Sequence, residues 1–536
     1  MKHAKLSIGA FIAVSLATIL GAGGVNTWAK TIPSPHAATG AANADAKSKG
    51  LVNYIGILYR RLAKGVTPAN NAAIPILSVC RADIRFGASK KVNGKFIFIP
   101  NPALKRKFLA GLGITQRQFA GPRYHHLLSY LKVNTTLPRG VPLGKGIAVG
   151  FPNNMNYAWQ TELAAASRPW SAHQYPWLAD WLDSNNAALK KVVAAASLPN
   201  FYTPPLITHP KTGLMGNMLP YLTSAKSTAT GLTARAMLEL HRHEFAACER
   251  DLLAAHRLAR LVTKPPSLIS NLVGYSIEAL VCEADDAVAN VGWITPDEYA
   301  RYIHKLRRLP RFRPLANVLN TAERFRVLDF LQRMPIFASK ASRPWFWQQM
   351  PTVSWTAPDF VLADRLINRL FNRQAAALGH RSGPKRLRAA RRVHEWWTHL
   401  LAPANHAIPP KVRNMLIWLT AFDGDMVKVI SLRTSTISAA ELADMSLILA
   451  QYRAKHGHYP KSLSVLVPHY IKVLPRDPFS GTRLGYSLGP TRCRIWTLAR
   501  FLNLHTPPPP NVHLRHFIRL SIPPGHFVWP KVGATN

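Results

Sequence analysis

Carboxylates are what this chain lacks most: 25 Asp and Glu stand against 68 Lys and Arg over 536 residues, a formal net charge of +43. A surplus of that size governs which surfaces a protein approaches and says little about its fold. Cysteine is scarce as well, with four residues, so disulfides cannot be the framework of the structure. The sequence has no C-x-x-C pair and no Cys/His spacing of a zinc site. Gly-x-Ser-x-Gly, the Walker Gly-x-x-x-x-Gly-Lys and the dinucleotide Gly-x-Gly-x-x-Gly are also missing. The adjacent His125 and His126 diverge on a helix and make a poor ligand set. These absences remove the common signatures of hydrolases, nucleotide-binding proteins and dehydrogenases, and neither a cofactor nor a metal is expected. Beyond residue 31 no uncharged apolar run is long enough to span a bilayer, so the body is expected to lie outside the membrane.

What is present begins with an address. Lys2, His3 and Lys5 precede an uncharged apolar run from Leu6 to Val25, followed by Thr27-Trp28-Ala29, the pattern of an export signal. About 20 apolar residues also suffice to cross a bilayer. Residues 1–29 are therefore read as a signal peptide or an N-terminal membrane anchor, with a buried N-terminal helix as the third reading. Either of the first two places the body in the periplasm, secreted or anchored to the inner membrane. The Ala/Gly/Ser/Pro-rich stretch 30–50 reads as a flexible linker. Apolar residues make up 48% of the chain, too many for a disordered polycation.

The expected fold is mainly α: a multi-helix body over 51–434 and a small C-terminal α+β module over 435–500. Residues 51–170 look irregular, with a helical piece at Tyr124 to Lys132 and an extended Lys95 to Ile99. Trp177, Leu178, Trp181, Leu182 and Leu189 recur at helical spacing and read as core. Thr228 to Val262 reads as one helix, Pro265-Pro266 breaks it, and Leu268 to Val291 reads as a second helix with Ser267 as cap. That hairpin, within 228–298, sets Cys248 opposite Cys282, as a disulfide or as a pair of small buried apolar groups. Thr295-Pro296-Asp297-Glu298 and Ser438-Ala439-Ala440-Glu441 have the form of capping boxes. Gly457 should end the helix that follows Ser438, and Leu484 to Leu488 with Cys493 to Leu498 can form a hairpin. The tail, 501–536, is basic and Pro-rich; its four consecutive prolines, Pro507 to Pro510, favour polyproline II and suit docking to a partner or packing across the surface.

Charge divides the chain into three. Residues 1–238 carry net +22, residues 299–536 net +26, and residues 239–298 hold ten acidic and five basic groups, net −5. In this acidic island Glu239, His243, Glu244 and Asp286 are the candidate catalytic or metal-binding set, because carboxylates and imidazoles on facing helices build bundle metal sites. The alternative is structural pairing with Arg235, Arg257 and Arg260. No Glu-x-x-His occurs there, and His243-Glu244-Phe245-Ala246-Ala247-Cys248 departs from His-Glu-x-x-His at its last position. The densest basic runs are Arg301 to Arg313 and Lys385 to Arg392. In the latter, Lys385, Arg386, Arg388, Arg391 and Arg392 precede Trp396 and Trp397 and form the candidate anion-binding set. For an exported chain the expected polyanion is an anionic lipid or cell-wall polymer, not nucleic acid. Few carboxylates also suit an acidic exterior, where they protonate.

The run Leu449-Ala450-Gln451-Tyr452-Arg453, His456-Gly457-His458-Tyr459-Pro460, Leu474-Pro475 and Asp477-Pro478-Phe479-Ser480-Gly481 resembles the C-terminal region of uncharacterised envelope proteins from planctomycete-like bacteria. Val66 to Ala73 and Asp251 to Leu258 extend that likeness. More distantly, the module is similar to the globular end of type II secretion pseudopilins. The chain departs from pseudopilins in having no acidic residue before Asp45 and none after Asp477, so the resemblance implies neither filament assembly nor calcium binding. The expected role is that of an exported, membrane-anchored envelope protein, structural or binding rather than catalytic. The competing expectation is an exported metal-dependent or hydrolytic enzyme working from residues 239–298.

Overall fold

The computed structural model describes residues 52–92, 95–134, 153–208, 210–334, 355–380, 382–420, 426–489, 492–499 and 514–521. The expected signal or anchor, 1–29, and the linker, 30–50, lie outside the described residues, as does most of the tail. Among the described residues no helix is long and apolar enough to cross a membrane.

The chain is mainly α with a small C-terminal α+β module, as its patterning predicts. Its first part consists of α1 (Tyr54–Ala63), α2 (Ala73–Val79), α3 (Pro102–Gly111), α4 (Leu127–Asn134), α5 (Asn153–Ala165), α6 (Pro176–Ser184) and α7 (Asn186–Ala196). The antiparallel strands β1 (Gly87–Val92) and β2 (Lys95–Pro100) project from it, and a short pair, β3 (Leu206–Ile207) and β4 (Asn217–Met218), follows. The stretch read as irregular is thus helical between its turns, and α2 packs against α7. The apolar stripe of α6 and α7 is core: Leu178, Trp181 and Leu189 are fully buried. Trp181 Nε1 donates to the His125 carbonyl at 2.7 Å, so the indole is buried with its one polar atom satisfied. Burying such a ring contributes on the order of 4–6 kcal/mol before ordering entropy is subtracted.

The centre holds α8 (Tyr221–His241), α9 (Phe245–Val262), α10 (Leu268–Asn290) and α11 (Pro296–Arg307). The Thr295 capping box forms as its sequence predicts, with the Thr295 hydroxyl accepting from the Glu298 amide. Ser267 sits at the start of α10 but makes no side-chain cap; the Leu268 amide donates to Glu323 Oε1 instead. That carboxylate lies in a π turn, Leu319–Glu323, between α12 (Leu315–Val318) and α13 (Arg324–Arg333). Beyond are α14 (Ala357–Leu378), α15 (Gly383–Leu400), α16 (Pro410–Thr420) and α17 (Met426–His456).

Helix α17 joins two hydrophobic clusters. Met426, Val427, Val429 and Ile430 pack with α1 and α12–α16, whereas Leu442, Met445, Leu449 and Tyr452 pack with α8–α11 and the C-terminal module. The boundary placed at 434/435 therefore falls inside a continuous helix. The Ser438 box does not form, because Ser438 is mid-helix, where its buried hydroxyl shares a 2.9 Å hydrogen bond with Thr497 Oγ1. Gly457, at φ 78, ends the helix as expected. The expected hairpin is β5 (Gly485–Leu488) paired with β6 (Arg492–Ala499), and the tail contributes a third strand, β7 (Leu514–Ser521), antiparallel to β6.

Candidate functional site

The acidic island runs from the end of α8 through α9 and α10 to the start of α11. The stretch read as one helix from Thr228 to Val262 breaks between α8 and α9 at Arg242-His243-Glu244, where His243 takes φ 64, a left-handed conformation rare for a side chain of its size. Stacking holds the turn: the His243 ring lies 4.4 Å from the Trp293 ring at an interplanar angle of 10°. This places His243 and Glu244 in an exposed turn, not on a helix face beside a metal.

The other candidates are taken up by partners. Glu239, at the end of α8, accepts from Arg250 Nη2 at 3.2 Å and lies 4.0 Å from Arg235. Burial, then the Asp251 charge, pushes its carboxyl up to about 7. Asp251 is fully buried and accepts from Nε of both Arg235 and Arg250. Glu249, also buried, meets Lys305 Nζ at 2.8 Å and Arg301 at 3.7 Å. Asp286 is half-buried, and desolvation with the charges of Asp285 and Glu283 pushes it well above the usual carboxylate range. Glu239 is thus buried against arginine, His243 and Glu244 share an exposed turn, and Asp286 lies on α10. Among the described residues, no group of three or more His, Cys, Asp or Glu is arranged to hold a metal ion. Cys248 and Cys282 are both buried and both free thiols, so the disulfide is not formed and they are the small buried apolar groups of the other reading.

The strongest ionic arrangement in the unit centres on His256. Its Nδ1 lies 2.9 Å from Glu278 Oε2 and its Nε2 lies 3.0 Å from Asp285 Oδ2, all three side chains being almost fully buried. Burial alone would lower the imidazole pKa; the two carboxylates outweigh it and raise His256 from 6.5 to about 9. Burial likewise favours a neutral Glu278, but His256 and the Arg260 guanidinium reverse this and hold the carboxyl at about 2. Arg260 grips Glu278 with two hydrogen bonds, 2.6 and 2.9 Å, and stacks 4.9 Å over Phe312. Tyr302 donates to the second oxygen of Asp285 at 2.5 Å. Each charge in this cluster has an opposite charge beside it. A second polar cluster behaves the same way. Asp83 Oδ2 accepts from buried Ser224 at 2.6 Å and lies 2.8 Å from His126 Nε2. The serine hydroxyl therefore points its proton at Asp83, not at the imidazole that would have to remove it for nucleophilic attack.

The basic candidates have the opposite character. On α15, Lys385, Arg388 and Arg392 are exposed, Arg391 is half-exposed, and none forms an ion pair with a carboxylate among the described residues. Arg386 differs: partly buried, it donates to the His380 carbonyl at 3.1 Å, and burial lowers its pKa. Helix α14 packs alongside and adds Arg365, Arg369 and Arg373, exposed cations at i, i+4 and i+8. Arg373 lies 4.2 Å and Arg369 5.3 Å from the centre of the Trp396 ring, which fixes their positive ends beside the α15 cations. Residues 357–400 hold nine basic and three acidic residues. One acidic residue, Asp359, is already bound by Lys411 at 2.7 Å. The α14 arginines were not singled out from sequence, although their spacing of four was the readable signal.

No family model, no curated protein and no solved structure matches this chain.

Proposed function

We propose that this is an exported, membrane-anchored envelope protein whose α14–α15 face binds anionic lipid or cell-wall polymer, and that its role is binding, not catalysis. The observation that carries this reading is the exposed set Lys385, Arg388, Arg391 and Arg392, beside Arg365, Arg369 and Arg373, which no carboxylate of the described residues neutralises. Each such cation near an anionic surface contributes about 1 kcal/mol of attraction. The basic, apolar opening of the sequence supports the compartment, and the likeness of 449–481 to envelope proteins agrees with it. The enzyme reading has less behind it, because Glu239 is held by Arg250 and His243 is stacked on Trp293.

The test is co-sedimentation of the full chain with phosphatidylcholine vesicles, with and without phosphatidylglycerol, at low and high salt. Retention on neutral vesicles reports the N-terminal segment; the excess on anionic ones reports the basic face. Replacing Lys385, Arg388, Arg391 and Arg392 by Gln should lower that excess about tenfold or more, and salt should do the same. An unchanged excess in the variant would refute the assignment.

A further inference from the structure

We infer that the ligand of this face is an anionic amphiphile, a phospholipid whose headgroup sits on Arg369 and Arg373 and whose acyl chain enters the apolar groove beside Trp397. This rests on the proposed anion binding and adds to it the part of the ligand that an anion alone lacks. Trp396 and Trp397 are neighbours on α15, so their side chains leave the helix in different directions while their rings stay 5.6 Å apart. The Trp396 ring carries the two α14 guanidiniums. The Trp397 ring lines an open groove of about 490 Å³ with Leu401, Pro403 and Ile417, in the size range of small-molecule sites. On its other side it lines a narrower crevice of about 230 Å³, with Leu370, Val393 and Ile430. The rim of the crevice holds Gln374, whose buried Oε1 has no hydrogen-bond partner.

Cationic and apolar surface thus meet at two adjacent indoles. Ile417 is 44% exposed in the groove, a large apolar side chain left open to water. A free phosphate would use the arginines and leave the groove empty; an uncharged hydrocarbon would use the groove and leave the arginines unpaired. A phospholipid satisfies both. The chain's own segment 1–29 fits the groove less well, because its charged end carries Lys2 and Lys5 and would meet a cationic rim.

The experiment is isothermal titration of the full chain with dodecyl phosphate, glycerol phosphate and dodecyl maltoside, each below its micelle concentration, beside the vesicle assay. Dodecyl phosphate should bind about tenfold or more tighter than either of the others. Leu401→Gln with Ile417→Gln should remove that gain while leaving glycerol phosphate affinity in place. Thr398→Trp, at an exposed position that fills the groove from outside, should do the same should the double variant fold poorly by circular dichroism. Arg373→Gln should weaken both phosphates several-fold. Equal affinity for dodecyl and glycerol phosphate, with retention intact, would overturn the amphiphile and leave the anionic face standing. So would a dodecyl maltoside affinity matching that of dodecyl phosphate, or a dodecyl phosphate affinity that the groove variants do not change. Loss of the anionic excess from the unaltered chain would overturn both readings.

Discussion

Two regions of this protein are rich in charge and handle it in opposite ways. In residues 239–298 five of the ten carboxylates are buried, and those five are matched: Glu278 with His256 and Arg260, Asp285 with His256, Asp251 with Arg235 and Arg250, Glu239 with Arg250, Glu249 with Lys305. In residues 357–400 the cations of α14 and α15 line an exposed face with few anions near them. A buried charge must be paired, and once paired it is bound to the fold; an exposed unpaired one remains available to a ligand. Density of charged residues is therefore a poor guide to chemistry, and the location of their partners is a better one. The acidic island has the composition of a candidate site, yet that composition is better explained by the packing of α8, α9, α10 and α11.

The largest expected effect breaks the island. Arg260→Ala removes both hydrogen bonds to Glu278 and the stacking on Phe312, leaving a buried carboxylate with only His256 opposite. Such losses destabilise by about 3–5 kcal/mol, measurable by denaturant unfolding. Smaller is the response to pH. Glu162, Glu239 and Glu441, each pushed from 4.5 to about 7 chiefly by burial, favour the fold below 4.5, and that contribution disappears as pH rises through 7. His256, raised to about 9, contributes fully below 6.5 and loses its contribution as pH rises through 9. Glu278, held at about 2, works in reverse, contributing above 4.5 and losing it as pH falls through 2. The melting temperature should therefore peak near about pH 5 and fall by a few degrees toward pH 9, with a separate acid limb below pH 4. A melting temperature that rises from pH 5 to pH 9 would contradict these assignments. The smallest effect is Lys305→Ala: the lysine side chain is 43% exposed and Arg301 remains near Glu249, so the loss should stay within about 1 kcal/mol.

Much of the fold was legible from local signals. Helical periodicity gave the Trp181 stripe, Thr295 and Glu298 gave the start of α11, Gly457 the end of α17, and alternation the β5–β6 hairpin. The misreadings arose where tertiary contacts override local grammar. Nothing in His241-Arg242-His243-Glu244 breaks a helix; the break is held by Trp293, some fifty residues away in sequence. Ser438 has the sequence of a cap but lies in a helix whose earlier turns are fixed by a second hydrophobic cluster. The His256 network was missed because a lone histidine is ambiguous, although Glu278 and Asp285, seven residues apart, share one face of α10 and could have marked its partners. Of the basic face, the α15 cations were readable as a run, whereas the α14 arginines acquire meaning only when packing sets them against Trp396.

The central claim is that the two charged regions serve separate ends, and it is tested most directly by crossing the two disruptions. Unfolding and anionic vesicle retention should be measured on Arg260→Ala and on the Lys385, Arg388, Arg391 and Arg392 to Gln variant, under conditions where both remain folded. The account predicts that Arg260→Ala loses stability and keeps its excess retention, while the α15 variant loses its excess retention and keeps its stability. Retention lost in Arg260→Ala while the α15 variant keeps it would contradict the account and return the binding function to the acidic island.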